Sequence, residues 1–182
     1  MKNALIIIDM QYDFCEGGII PYQKSLDIIP IINRIRDNYD FIIFIKDHHP
    51  ENHCSFKEYG GIFPKHCIEN SYGCRLHDDL ILKNDDLIIS RGSLQKYDSN
   101  SAFYDAEEIN KNTKLKNFLI INKIHNLYFC GNGIENCIFS SIIDAINFKF
   151  KCYLIKEASS FLDIKKADLC INYLKSLDVE II

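Results

Sequence analysis

Short apolar runs alternate with segments of helical spacing along most of this chain. Residues 4–8 form a continuous, mostly β-branched run, which is the pattern of a strand buried on both faces. Further strands are predicted at 41–45, 87–90, 127–130, 151–155 and 179–182. Helices are predicted at 25–38, where Pro30 favours a later start, and at 114–124, 134–145 and 164–177. Because strands alternate with helices, the pattern predicts one α/β domain over residues 1–182, with a mainly parallel central sheet between two helical layers.

The amino-acid composition argues against several classes of binding partner. The 182 residues carry a net charge of −4 and scattered basic residues, which argues against a nucleic-acid partner. No run approaches the ~20 apolar residues that cross a bilayer, and the first run meets Asp9 too early for a signal peptide. Eight cysteines without a C-x-x-C pair favour a reducing compartment over a disulfide scaffold or a thiolate zinc cluster. We therefore expect a cytoplasmic protein with no membrane partner. Whether the chain assembles into a homo-oligomer stays open.

Cys137 is a candidate nucleophile. It follows the strand at 127–130 and a Gly-Asn-Gly break, so it falls in the first turn of the predicted helix. The helix dipole and unpaired N–H groups at that place favour a thiolate, although a buried and inert cysteine is the alternative. Asp9 and Arg91 each follow another predicted strand, and parallel strands bring such ends together. Asp9 could then accept the thiol proton beside the Arg91 cation. The alternatives are that Asp9 caps a neighbouring turn and that Arg91 makes a surface ion pair.

A second group has the composition of a metal site. Asp47 and His49 stand two apart at a strand end and so point to the same side of the sheet. His53 follows four positions on, and His66 lies in the irregular segment 51–75. Two imidazoles and one carboxylate form a facial site that suits zinc, iron(II) or manganese. The alternative is a set of surface histidines.

These segments together resemble a known family. They are, in order, Asp9-x-Gln11-x-Asp13-Phe14; Asp47-His48-His49-Pro50 with His53 and Phe56; Phe63-Pro64-Lys65-His66-Cys67; Arg91-Gly92 with Ser101-Ala102-Phe103; and Cys130-Gly131 with Glu135 and Cys137. The chain resembles the nicotinamidases, which deamidate nicotinamide or pyrazinamide, among the isochorismatase-like cysteine hydrolases. The resemblance extends from residue 4 to about 160. It implies an isochorismatase-like fold and the conversion of nicotinamide to nicotinic acid and ammonia in NAD salvage, with pyrazinamide as a further substrate.

The resemblance also implies roles for particular residues. The family's catalytic Asp, Lys and Cys fall on Asp9, Arg91 and Cys137. Its divalent metal, with zinc favoured over iron or manganese, would bind Asp47, His49 and His66, with His53 as an additional or neighbouring contact. The backbone N–H groups of Gly133 and Cys137 would form the oxyanion hole, next to a cis peptide between Asn132 and Gly133. The residues assigned to the substrate are Phe14, Phe63 and Asn132.

Three departures from the family pattern affect the functional prediction. Arg91 replaces the lysine, and a guanidinium cannot release a proton near neutral pH. Phe63 replaces a common tryptophan, and Asn100 stands where many relatives have tyrosine. Two alternatives therefore stay open: a related cysteine hydrolase of another small amide, and a catalytically silent relative that binds nicotinamide and metal.

Overall fold

Six parallel strands form the central sheet of the computed structural model, which describes residues 1–182. The strands are β1 (Lys2–Ile8), β2 (Phe41–Asp47), β3 (Leu87–Arg91), β6 (Ile124–Gly131), β7 (Lys151–Ser159) and β8 (Glu180–Ile181). Their order across the sheet is β3-β2-β1-β6-β7-β8. The predicted α/β class is confirmed. The direction of winding reverses between β1 and β6, and open α/β sheets bind ligands at the carboxyl ends of strands at such a point.

Both faces of the sheet are covered by helices. The helices are α1 (Ile28–Ile35), α2 (Leu115–Ile121), α3 (Phe139–Asn147) and α4 (Ile164–Ser176). In β1, Ala4, Ile6 and Ile8 pack with α2, α3 and α4, whereas Leu5 and Ile7 pack with α1. This alternation is the two-residue period of a strand, and it explains why the run at 4–8 is apolar throughout. None of the four helices is long and apolar enough to span a bilayer.

Several boundaries differ from the sequence prediction. The first helix begins at Ile28 rather than residue 25, which places Pro30 in its first turn, where a missing N–H costs no hydrogen bond. Lys123 adopts a left-handed φ of 56°, which separates α2 from β6 and ends the helix before residue 124. A short antiparallel hairpin, β4 (Tyr104–Ala106) and β5 (Lys111–Asn112), was not predicted. Its two strands are too short to show a period.

A buried ion pair attaches the segment before β3 to the end of α1. The Arg36 side chain is 2% exposed, and its Nη2 donates to both oxygens of Asp86 at 2.7 and 3.0 Å. Arg36 Nη1 donates to the Ile81 carbonyl oxygen. A guanidinium held at this depth needs all of these acceptors, because an uncompensated buried charge is costly.

We predict that Asp86→Ala lowers the free energy of unfolding by about 3–5 kcal/mol, because it leaves the Arg36 charge buried and unpaired. Urea titration followed by circular dichroism measures the loss. The matched control is Asp37→Ala, since the Asp37 side chain is 69% exposed beside the same arginine. That variant should stay within about 0.5 kcal/mol of the parent. Equal losses in both variants would contradict the assignment.

Candidate active site

The carboxyl ends of four strands bring four functional side chains together. Asp9 follows β1, Asp47 ends β2, Arg91 ends β3 and Cys137 follows β6, and all four residues are buried. One nitrogen of Arg91, Nη2, lies 2.6 Å from Asp9 Oδ2, 2.9 Å from Asp47 Oδ1 and 3.0 Å from Cys137 Sγ. Sequence reasoning placed these residues at strand ends, and the sheet brings them into contact.

Burial sets the protonation of the candidate nucleophile and base. Burial raises the pKa of the Cys137 thiol well above its usual range, although the Arg91 charge opposes this. Burial also raises the pKa of Asp9 to about 7, against the opposing Arg91 charge and with a smaller contribution from Asp47. Burial therefore opposes the thiolate that the helix start was expected to favour. The resting pair is a thiol beside a carboxyl group that can accept its proton near neutral pH.

Asp47, His49 and His66 form a cluster that can hold a metal ion. Their candidate ligand atoms all lie within 4.8 Å of one another. Asp47 Oδ2 is 3.4 Å from His49 Nε2 and 3.8 Å from His66 Nε2. The other ring nitrogens face carbonyl oxygens, with His49 Nδ1 2.8 Å from Gly92 O and His66 Nδ1 2.9 Å from Pro64 O. Each Nδ1–H can donate there, which leaves the Nε2 atom of both rings available to a cation, as in protein metal sites.

Charge and packing also suit a cation at this cluster. Burial acts to raise the pKa of Asp47, but Arg91 and His49 outweigh it and hold this pKa well below its usual range. Burial lowers the pKa of His66, so this ring is neutral and keeps its lone pair. Gly92 packs so closely on the ring of His49 that an added Cβ would stand 2.5 Å from Cε1. The donor set therefore fits a divalent metal ion.

Gln11 fixes the end of β2 that carries the candidate metal ligand Asp47. Its Oε1 accepts from the Asp47 backbone N–H at 2.7 Å, and its Nε2 donates to the Asp47 carbonyl at 2.8 Å. Gln11 is fully buried, so the pair of bonds holds the backbone of this strand end in place. The sequence placed Gln11 in a matching motif without giving it a role.

His53 lies beside the cluster and not in it. Its ring stacks on His49 with a centroid distance of 4.1 Å. Although His49, His53 and Asp98 also lie close together, His53 Nδ1 contacts Ser55 Oγ at 2.8 Å and Nε2 contacts Tyr97 O at 2.9 Å. Both nitrogens are engaged, so the suggestion of His53 as an additional ligand is wrong in this arrangement. It is a neighbouring contact that orients His49.

A narrow hollow opens beside Cys137 and the metal-ligating cluster. Besides the charged groups, its uncharged lining consists of Phe14, Ile20, Tyr22, Phe63, Ser99, Asn100 and Asn136. The predicted aromatic residues Phe14 and Phe63 are both present, and their rings lie 5.5 and 5.7 Å from that of His66. Sequence reasoning missed Tyr22 and Asn136. Asn136 could have been noticed as the residue before the nucleophile, whereas nothing in the local pattern marks Tyr22.

Asn132 does not line this hollow, so its assignment to the substrate is wrong. The side chain is fully buried, its Nδ2 donates to the Asp9 carbonyl at 2.9 Å, and its Oδ1 accepts from Ser160 Oγ at 2.5 Å. Asn132 thus ties the segment after β6 to the segments after β1 and β7. This fixes the backbone of Asp9, which has a left-handed φ of 55°.

The predicted oxyanion hole is only partly present. Gly133 N–H donates to the Ser160 carbonyl at 3.1 Å, so this donor is already used. The chain contains no cis peptide bond, and Gly133 turns the backbone instead with a φ of +90°. Both the cis peptide at Asn132–Gly133 and the Gly133 donor were therefore wrongly predicted. Cys137 itself lies in a π-helical turn, Ile134–Ile138, that precedes α3.

A buried thiol beside a carboxyl group, at the carboxyl edge of a parallel sheet, has the nucleophile and the base that a cysteine hydrolase needs. The sequence profile of the isochorismatase domain matches residues 3–182, so the chain belongs to the isochorismatase family. A curated relative, the nicotinamidase of Acinetobacter baylyi, is 31% identical over 177 residues, covering 88% of this chain and 82% of that protein.

Two solved structures extend this similarity to the whole fold. The pyrazinamidase of Pyrococcus horikoshii in complex with zinc has a TM-score of 0.91 and 31% identity, covering 100% of this chain and 99% of that one. PnC1 from L. infantum in complex with nicotinate has a TM-score of 0.95 and 29% identity, covering 100% of this chain and 92% of that one. The isochorismatase-like fold expected from the motifs is confirmed.

We predict that His49→Ala or His66→Ala removes bound metal, because each deletes one of three converging ligands. Metal content per chain, measured by inductively coupled plasma mass spectrometry after zinc loading, should fall from about one to near zero, given the 10–100-fold loss that even outer contacts cause. The control is His125→Ala, since His125 is exposed and outside the cluster. Full metal content in either ligand variant would overturn the assignment.

Proposed function

We propose that this protein is a metal-dependent cysteine amidohydrolase that converts nicotinamide to nicotinic acid and ammonia, a step of NAD salvage. One observation supports this above the others: Cys137 lines the same hollow as Asp47 and His49 of the metal-site candidate, and one nitrogen of Arg91 contacts Cys137, Asp9 and Asp47 together. The relatives include curated nicotinamidases and a structure with bound nicotinate. Pyrazinamide, which has the same carboxamide on a similar ring, is proposed as a further substrate.

The hollow can orient a pyridine ring. Phe14 and Phe63 provide apolar walls on which an aromatic ring packs. Asp47, His49 and His66 would hold the divalent ion, which when bound would supply a Lewis acid for the ring nitrogen. Cys137 lines the same hollow, so a ring held there would present its carboxamide group to the thiol. This placement makes the attack on the carboxamide intramolecular in effect.

The protein's own groups carry the covalent chemistry. Cys137 attacks the carboxamide carbon, and Asp9 takes the thiol proton and passes it to the departing ammonia. Water, activated by Asp9, then hydrolyses the thioester to give nicotinic acid. The pKa of Asp9, raised to about 7 by burial, suits a group that must both accept and release a proton near neutral pH.

Arg91 contributes charge and position without moving a proton. Its pKa lies well above the usual range: burial acts to lower it, but Asp47 and Asp9 outweigh burial. It therefore stays protonated, stabilises the thiolate as it forms and keeps Asp9 beside the sulfur. A role of Arg91 as a fixed positive charge favours an active enzyme. The absence of the family lysine supports the alternative, a catalytically silent relative that binds nicotinamide and metal. An ammonia assay separates the two.

The metal, the compartment and the partners are also part of the proposal. Zinc is proposed as the metal because the donor set fits it and the Pyrococcus relative was solved with zinc, while iron and manganese suit the same ligands. A cytoplasmic location is proposed because all eight cysteines are free thiols. Nicotinamide is the proposed small-molecule partner, without nucleic acid or membrane, and assembly into a homo-oligomer stays open.

The proposed function predicts that Cys137→Ala abolishes ammonia release from nicotinamide. The zinc-loaded parent should turn over, and the variant should lose at least about 10⁴-fold in kcat, since a nucleophile has no substitute. The control is Cys170→Ala, because Cys170 is a half-buried thiol outside the hollow. Circular dichroism confirms that the fold is kept. An inactive parent, or full turnover by Cys137→Ala, would contradict the proposal.

A second prediction concerns the positive charge. Arg91→Lys should keep kcat within about tenfold of the parent, because the three contacts to Asp9, Asp47 and Cys137 come from one nitrogen and an ammonium also has three donors. Arg91→Met, of similar length but uncharged, should lose about 100-fold or more because two carboxylates then face each other unscreened. If the methionine variant were as active as the lysine variant, charge would not be the role of this position.

A further inference from the structure

One carboxyl group outside the candidate metal cluster of Asp47, His49 and His66 contacts the backbone of that cluster. Asp13 Oδ2 accepts a hydrogen bond from the Cys67 N–H at 2.7 Å. This N–H belongs to the peptide group that joins His66 to Cys67. Hydrogen bonds to a carboxylate are about twice as strong as neutral ones. The family motif includes Asp13, but the resemblance gave this residue no role.

The Cys67 backbone is strained and connects the two segments that carry the histidines. Its φ is 46°, in the left-handed region, which a residue other than glycine adopts only where its surroundings impose it. The Cys67 carbonyl accepts from the His49 N–H at 3.0 Å, and the Glu69 N–H donates to the His49 carbonyl at 2.8 Å. Cys67 thus contacts Asp13 through its N–H and His49 through its carbonyl group. A change of backbone conformation at Cys67 would therefore displace His66 relative to His49.

Asp13 is itself held in one position. Its backbone N–H donates to the Gly73 carbonyl at 3.0 Å, and its carbonyl accepts from the Ile20 N–H at 2.8 Å. Gly73 leaves room for the carboxyl group, since a Cβ added to Gly73 would stand 2.1 Å from both carboxyl oxygens of Asp13. The next residue, Phe14, packs on the His66 ring with a centroid distance of 5.5 Å. The segment after β1 is therefore a fixed support for the loop that carries His66.

We propose that Asp13 is a positioning residue for the metal site: its carboxylate holds the Cys67 backbone and thereby keeps the two histidines of the cluster within reach of one divalent ion. This inference rests on the metal binding that is part of the proposed function. The candidate ligand atoms lie within 4.8 Å of one another, and a loop released at Cys67 would lose this spacing. Groups that hold metal ligands from outside typically contribute about 10–100-fold in affinity.

The first test measures zinc affinity by competition with a chromophoric chelator. Asp13→Ala should raise the zinc Kd about 10–100-fold, because it removes the acceptor of the Cys67 N–H. Asp13→Asn should lose less affinity, since its amide oxygen can still accept this bond. The control is Asp86→Ala, which removes a buried carboxyl group before β3, at the opposite end of the sheet, and should keep the zinc Kd within about twofold of the parent. An unchanged Kd in Asp13→Ala, or equal losses in the two Asp13 variants, would overturn the inference.

A change at Gly73 tests the same contact without altering Asp13. The Cβ of Gly73→Ala would push the carboxyl group away from the Cys67 N–H, so the zinc Kd should rise by a factor similar to that in Asp13→Ala. In the double variant the carboxyl atoms that this Cβ would meet are gone. Because both changes act through one hydrogen bond, the double variant should bind zinc no more weakly than the weaker single variant. Losses that multiply would overturn the role given to this contact.

Cobalt(II) gives a readout that a loss of stability alone would not change. Its visible absorption depends on the number and geometry of its ligands, so bound Co²⁺ should show an altered spectrum in Asp13→Ala and the parent spectrum in Asp86→Ala. Both metal measurements are made without nicotinamide and so are independent of amide turnover. A parent that shows these differences but releases no ammonia would contradict the proposed hydrolysis and leave the Asp13 assignment in place. An active parent with the same spectrum and zinc Kd as Asp13→Ala would overturn the Asp13 assignment alone.

Discussion

The contact of one guanidinium nitrogen with three groups is the interaction on which this site depends. Arg91 Nη2 lies within 3.0 Å of Asp9, Asp47 and Cys137, and all four residues are buried. Two carboxylates could not stand this close in a dry interior without a cation between them. The same cation joins the candidate nucleophile to the candidate metal ligand at the end of β2, so the proposed covalent chemistry and the proposed metal binding share one buried charge.

The sheet makes this contact possible. Strands β1, β2, β3 and β6 are parallel neighbours: Asp47 and Arg91 end β2 and β3, and Asp9 and Cys137 follow β1 and β6. Because the winding reverses between β1 and β6, no helix crosses above their carboxyl ends, and a hollow is left there. Hydrogen bonds from Gln11 and Asn132 then fix the backbone of two of these strand ends. Apolar packing sets the framework, and a few buried polar side chains set the site.

Much of the fold and part of the site could be predicted from local patterns. The buried strands and most helices were found because an apolar run or a helical period is a property of neighbouring residues. Asp9, Asp47, His49 and Arg91 were found for the same reason, since polar residues that follow such runs are local signals. His66 was a candidate by composition only, since it lies in a segment without a period, and the family motif implied its role as a ligand. The short hairpin at β4 and β5 was missed because its strands carry no pattern.

The sequence by itself determined which residues could meet at the carboxyl edge of a parallel sheet, and tertiary structure decided what each of them does there. Gly133 N–H is taken by Ser160, His53 is turned toward Tyr97, and Tyr22 meets Asn136 across 114 positions of the chain. Burial likewise raises the pKa of the Cys137 thiol, with the Arg91 charge opposing it. Hydrogen-bond partners and desolvation depend on segments far apart in sequence, and only packing brings those segments together.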